Sequence, residues 1–264
     1  MSTVSSWPGA LARRARHRLL PWWRIVQLGS LVLVLAMSPS SYRRAAWPAM
    51  ARHLVAATVP VLLWFTLLSA LASLVVTRIV LVTALSYGLS QYALEMVVRV
   101  LVLELIPLTV ALFVALRWSI PAGSALAAMR RSGELGALRH AGIDALRLEV
   151  LPRAVAGMVA VLLLALLSGM VTLVLAYLLA HGFSPWAFEA YTRMVGRVFS
   201  PAVSLIFGLK TLALALAVSL IPIGSALHDP DAGKASANAD LQGLVRLAAA
   251  ILLIEMASLM VNYS

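Results

Sequence analysis

Cysteine is absent from the 264-residue chain, which excludes disulfides, thiolate metal sites and thiol redox chemistry. Charge is scarce too. Only 12% of residues are Asp, Glu, Lys or Arg, where a soluble domain carries about a quarter, and 62% are hydrophobic. A chain so composed cannot cover its apolar surface with polar groups, so a bilayer must serve as its solvent. Acidic residues number 10 against 21 Lys and Arg, and lysine occurs only at Lys210 and Lys234. In a soluble protein that +11 balance would suggest nucleic acid. Here the arginines fall at the ends of apolar runs. Attraction to anionic lipid and the positive-inside bias explain them better, and no nucleic-acid partner is expected.

Catalytic signatures are missing as well. A phosphate-cradling loop needs glycines ending in Gly-Lys-Ser/Thr, but the single Gly-Lys pair, Gly233–Lys234, is followed by Ala235, with His228 at the leading glycine position. The five histidines (His17, His53, His140, His181 and His228) have no ligand spacing, and no Gly-x-Ser-x-Gly elbow occurs. An enzyme with all its parts on this chain is disfavoured. Trp22, Trp23 and Arg24 interrupt the first apolar run without a small-residue cleavage pattern, so the first thirty residues are not expected to be a cleavable signal.

What is present is a series of lipid-length apolar segments. Arg13, Arg14, Arg16 and Arg18 precede Leu19, Leu20, Trp22, Trp23, Ile25 and Val26, a pattern suited to a helix lying in the membrane interface. Residues 30–37 are apolar but too short to span before Pro39, and a second basic cluster follows at Arg43, Arg44 and Arg52. Spans are predicted over 54–76, 96–116, 154–179, 202–220 and 244–261, with 77–91 either extending the first helix or capping it. The aromatics of 185–197 predict a second amphipathic interfacial helix, and 228–240 is a polar loop. The stretch from Arg117 to Arg153 holds six arginines against Glu134, Asp144 and Glu149. It reads as short helices broken at Pro121, Gly133, Gly136 and Gly142, with Pro152 opening the next long helix. Sixteen Lys and Arg lie on the side of the N-terminal arm and this central stretch, against five on the other. That asymmetry predicts a cytoplasmic N-terminus and central loop, and a C-terminus outside.

Charges at membrane depth are the sharper functional signal. Glu95, Arg99 and Glu104 lie in or beside the second span, Arg78 beyond the first, and Lys210 inside the fourth. Each costs several kcal/mol if left facing lipid, so each is expected to find a partner or a wet cavity. Glu95 and Arg99, at i and i+4, are spaced to pair with each other. Glu104 and Arg78 are hypothesised to line a polar cavity receiving a lipid headgroup.

The run Gly133-Glu-Leu-Gly-Ala-Leu-Arg-His-Ala-Gly-Ile-Asp-Ala-Leu-Arg-Leu-Glu-Val-Leu-Pro-Arg153 resembles the signature of the Mla-type (YrbE/MlaE-like) ABC-transporter permeases, with Ala137, Leu138, Arg139, Gly142, Ile143, Asp144, Pro152 and Arg153 on matching positions. Glu104-Leu-Ile-Pro107 is similar to the family's Glu-Leu-Gly-Pro, and Arg117 falls on another family arginine. Leu103 stands where the family has an arginine, and Glu255 sits near a family aspartate. The likeness covers roughly residues 50–260.

The resemblance implies an all-α integral membrane protein: an N-terminal interfacial helix, five transmembrane helices, and a cytoplasmic coupling helix between the second and third. It implies one permease domain over 1–264, with 1–50 as its basic interfacial region and 51–264 as its core. It implies a homodimer in the bacterial inner membrane that moves phospholipids or related lipids between inner and outer membranes. The implied partners are a cytoplasmic ABC ATPase, which binds the ATP and Mg, a periplasmic MCE-domain protein, and optionally a small STAS-type regulatory subunit. The chain itself would carry no cofactor, metal or ATPase site. Carried over, the coupling helix lies within 122–139, with Arg130, Arg131, Glu134, Leu138 and Arg139 as contacts. The lipid cavity between protomers would draw on Trp64, Leu67, Leu68, Leu71, Val75, Arg78, Arg99 and Glu104. Two other classes fit the residues alone, a membrane scaffold protein and a proton-coupled secondary transporter; against the second, no inverted repeat is visible.

Overall fold

A computed structural model of the chain describes residues 23, 25–38, 47–142, 144–228 and 237–263. The basic clusters at Arg13–Arg18 and at Arg43 and Arg44, Arg24, and most of the polar loop (229–236) lie outside the described residues. Among the described residues there is no strand, and five helices are long and apolar enough to cross a membrane.

The elements are α1 (Ile25–Met37), α2 (Trp47–Ser86), α3 (Tyr92–Arg131), α4 (Glu134–His140), α5 (Leu146–His181), α6 (Phe188–Val198), α7 (Pro201–His228) and α8 (Ala237–Tyr263). At about 1.5 Å per residue the 40-residue α2 is roughly 60 Å long, twice the ~30 Å hydrocarbon thickness. It must tilt or project. The segment after Val76 therefore extends the first helix, which stops at a turn where Gly88 has φ 70°.

The second span runs further than the proline pattern suggests. Pro121 does not break it: α3 continues through Arg117 to Arg131. The reason is local. Wide π-type turns occupy Val98–Leu105, Ala115–Ser119 and Leu146–Val150, and each ends two residues before a proline: Pro107, Pro121 and Pro152. A proline removes one helix N–H and its ring crowds the preceding turn; widening that turn gives the ring room without ending the helix. Pro60 and Pro222 are instead carried inside ordinary α-helix. Gly136 likewise does not break the chain but lies within α4, whereas Gly133 (φ 80°) and Gly142 (φ 73°) do mark its two ends.

Helix α2 packs along α5, α5 along α7, and α7 along α8, while the last turns of α3 lie on α7. The core formed there is aliphatic and alanine-rich, including Val110, Val114, Ala160, Leu164, Leu214 and Val218. At one site two helix backbones nearly touch: a Cβ on Gly123 would meet the Pro222 carbonyl oxygen at 2.9 Å, so only glycine fits. A second cluster gathers Leu28 and Val32 of α1 with Met50, Leu126, Leu151 and Ile223. Alternation of the spans thus places α1, the start of α2, the ends of α3 and α7 and the start of α5 at the α4 end. The turn after α2, helix α6 and the last residues of α8 lie at the other. Tyr191 anchors α6 by donating its hydroxyl to the Leu173 carbonyl at 2.8 Å, and burial pushes its phenol up to about 12.

Candidate functional site

Three features of this scaffold bear on function. The first is a buried ionic cluster joining α3, α7 and α8. Lys210 is only 4% exposed, and its Nζ is paired with Glu104 and, at 2.6 Å, with Glu255 Oε2. It also donates to the Leu103 carbonyl at 3.2 Å. Glu255 is 8% exposed, and its Oε1 has no hydrogen-bond partner among the described residues. An ammonium in a low-dielectric interior is tolerable only when paired and hydrogen-bonded, and this one meets both conditions. Sequence reasoning placed Glu104 and Lys210 at membrane depth but did not join them. The available signal was that charges on three different spans, each costly alone, had to find one another.

The second feature is α4. None of its residues is buried, and Glu134 stands in its first turn with Arg139 and His140 in its last, each matching the sign of the helix dipole. Leu138 is half-buried and Arg131 exposed. Arg130 is exposed as well, and its Nη1 donates to the Leu227 carbonyl at 2.8 Å, near the end of α7, where helix carbonyls lack intrahelical donors. That contact, with Gly123 against Pro222, clamps the far end of α3 to α7.

The third is an unpartnered apolar face on α2. Trp64, Leu67, Leu68, Leu71 and Val75 recur at three- and four-residue spacing and are all exposed, Trp64 by 70%, while Val61, Phe65, Ser73 and Thr77 face inward. Ser73 and Thr172 share a hydrogen bond of 2.8 Å that holds the inward face to α5. Arg78 is exposed and, among the described residues, has no carboxylate within 4 Å. Arg99 pairs with Glu95 at 3.0 Å, as their spacing predicted. Glu104 is paired with Lys210, and Arg78 is not among its partners. Among the described residues no three His, Asp or Glu side chains could hold a metal ion.

The comparison that decides the family covers most of the chain: residues 50–261 match the family model Permease MlaE. The chain belongs to the MlaE permease family. No curated protein matches it. Within this MlaE permease the match runs from the first turn of α2 into the last turn of α8, so it contains all five long helices, α4 and the ionic cluster. Helix α1 lies outside it. As a family member the chain is the membrane-spanning subunit of an ABC-type transporter, the subunit that generally lacks an ATPase site of its own.

Proposed function

We propose that this MlaE permease moves phospholipids or related lipids between the inner and outer membranes of a bacterium, driven by a separate ATPase. Its single permease domain would work as a homodimer in the inner membrane, with the N-terminus and α4 in the cytoplasm and the C-terminus in the periplasm. A cytoplasmic ABC ATPase, carrying the ATP and Mg, would dock at α4 through Arg130, Arg131, Glu134, Leu138 and Arg139, with Arg130 also tying that site to α7. A periplasmic MCE-domain protein would receive or deliver lipid at the opposite end, and a small STAS-type subunit could join the ATPase.

The observation that carries this reading is the pairing of a charged helix with no buried residue at one end with a long apolar face on α2 that is unpartnered among the described residues. The face formed by Trp64, Leu67, Leu68, Leu71 and Val75 would line the acyl-chain cavity between protomers, with Arg78 and Arg99 beyond it. Glu104, held by Lys210, would fix the α3 wall. Extracting a two-chain lipid exposes many CH₂ groups at about 0.8 kcal/mol each, which a passive pore cannot supply. Closure driven by the ATPase must therefore change the cavity's affinity, and no bond is made or broken in the permease. The test is vanadate-sensitive ATP hydrolysis by the assembled complex. Lipid should stimulate it in the parent, and Leu71→Arg should abolish the stimulation while leaving basal hydrolysis intact. Stimulation that survives Leu71→Arg would remove α2 from the cavity.

A further inference from the structure

Beside α4's end of the bundle, α2, α3 and α5 enclose a cleft of about 380 Å³ that the transport reading does not use. Its lining includes His53, Ala57, Val61, Arg117, Trp118 and Arg153. His53, Arg117 and Arg153 are polar members of that lining, and Ala57 and Val61 are apolar. Arg117 follows directly on the apolar run that ends at Leu116, and His53 precedes the one that starts at Leu54, so both lie where hydrocarbon gives way to headgroups.

The two arginines differ in what they have left to give. Arg153 is engaged: its Nη1 pairs with the Glu149 carboxylate and donates to the Glu149 carbonyl at 2.7 Å, and its own carbonyl accepts from Trp118 Nε1 at 3.1 Å. Arg117 is exposed and, among the described residues, has no carboxylate within 4 Å. An exposed guanidinium thus borders a cleft lined in part by apolar side chains, with Trp118 held by its hydrogen bond and its edge contact with His53 at 6.0 Å. A guanidinium matches phosphate oxygens in pairs, and a slot of this size is within the range of ordinary small-molecule pockets.

We propose that this cleft binds one anionic phospholipid of the surrounding leaflet, its phosphate on Arg117 and the upper part of an acyl chain against Ala57 and Val61. Charge complementarity selects the headgroup and the apolar lining selects a lipid over a free anion. The site requires only the membrane-spanning fold, not the transport cycle, so its test leaves the ATPase out.

The experiment is native mass spectrometry of the purified permease in detergent, with phosphatidylglycerol and phosphatidylcholine offered in turn. Phosphatidylglycerol should be retained in preference, and Arg117→Gln should weaken that retention about tenfold, the worth of one charge-assisted hydrogen bond. Arg197→Gln, an exposed arginine on α6, should leave it unchanged. Ala56→Leu, which fills the cleft from an exposed lining position without altering charge, should weaken retention of both lipids at this site. Equal retention by the parent and Arg117→Gln, both unfolding at the same temperature, would overturn the proposal. So would displacement of the lipid by excess inorganic phosphate, which would assign the cleft to a soluble anion instead.

Discussion

Removing the ammonium from the buried cluster is the perturbation whose outcome is best defined. Lys210→Met keeps the volume of the side chain but leaves the Glu104 and Glu255 carboxylates and the Leu103 carbonyl facing one another with no cation between them. Breaking a buried pair by deleting one partner costs about 3–5 kcal/mol, because the remaining charge is uncompensated. Glu104→Gln is milder. It leaves the Lys210–Glu255 pair balanced and loses one charge-assisted bond, about 1.5–3 kcal/mol, part of it recovered by the amide oxygen. Replacing all three residues (Glu104→Gln, Lys210→Met, Glu255→Gln) removes every buried charge together, and should recover most of the loss because the desolvation cost disappears too. Equilibrium unfolding of the purified protein in detergent, followed by tryptophan fluorescence, gives the three values. The order single Lys210 variant, then Glu104 variant, then triple variant, from least to most stable, is the expected result. A Lys210→Met loss under about 1 kcal/mol would mean the cluster is solvated and the reasoning wrong. A triple variant no better than Lys210→Met would refute it equally.

Gly123→Ala should destabilise by about 1–3 kcal/mol in the same unfolding assay, since its Cβ would sit 2.9 Å from the Pro222 carbonyl oxygen. Gly136→Ala, inside α4 with open space around its Cβ, should instead stabilise that helix by about 0.5–1 kcal/mol, so the two glycine variants should differ in sign. Gly133→Ala forces an L residue to φ 80° and should cost about 1–2 kcal/mol, read out as faster hydrogen exchange confined to α4. Tyr191, a phenol raised from 10.0 to about 12, should give its tyrosinate absorbance only towards pH 12 on alkaline titration, and Tyr191→Phe should remove that late step. Because the neutral phenol is favoured in the fold, its contribution to stability is intact below pH 10.0 and declines as pH rises towards about 12.

Much of the architecture was legible in the sequence, because lipid-length apolar runs have few alternatives to membrane-spanning helix. The pairing of Glu95 with Arg99 was legible for the same kind of reason: an i, i+4 contact is fixed once the helix is. What stayed hidden depended on neighbours distant in sequence. Glu104, Lys210 and Glu255 belong to three spans, and no local pattern says that α3, α7 and α8 bring them to one point. Pro121 and Gly136 were misread by a local rule. A proline can be absorbed by widening the turn before it, and a glycine in a solvent-facing helix costs too little to end it. Arg130 illustrates a further limit. Its basic side chain reads as a docking contact, and the fold adds a partner that no local pattern shows, the Leu227 carbonyl.

The proposed transport cycle stands on α4 as the place where work enters the membrane. Since the chain has no cysteine, a single Leu138→Cys variant carries one unique thiol, and a short photoactivatable crosslinker attached there in inside-out and right-side-out membrane vesicles tests that placement. The account predicts that the thiol is modified only when the cytoplasmic face is exposed, and that illumination joins α4 to a nucleotide-hydrolysing subunit. Modification from the outer face, or illumination that never yields that product in active complexes, would contradict it.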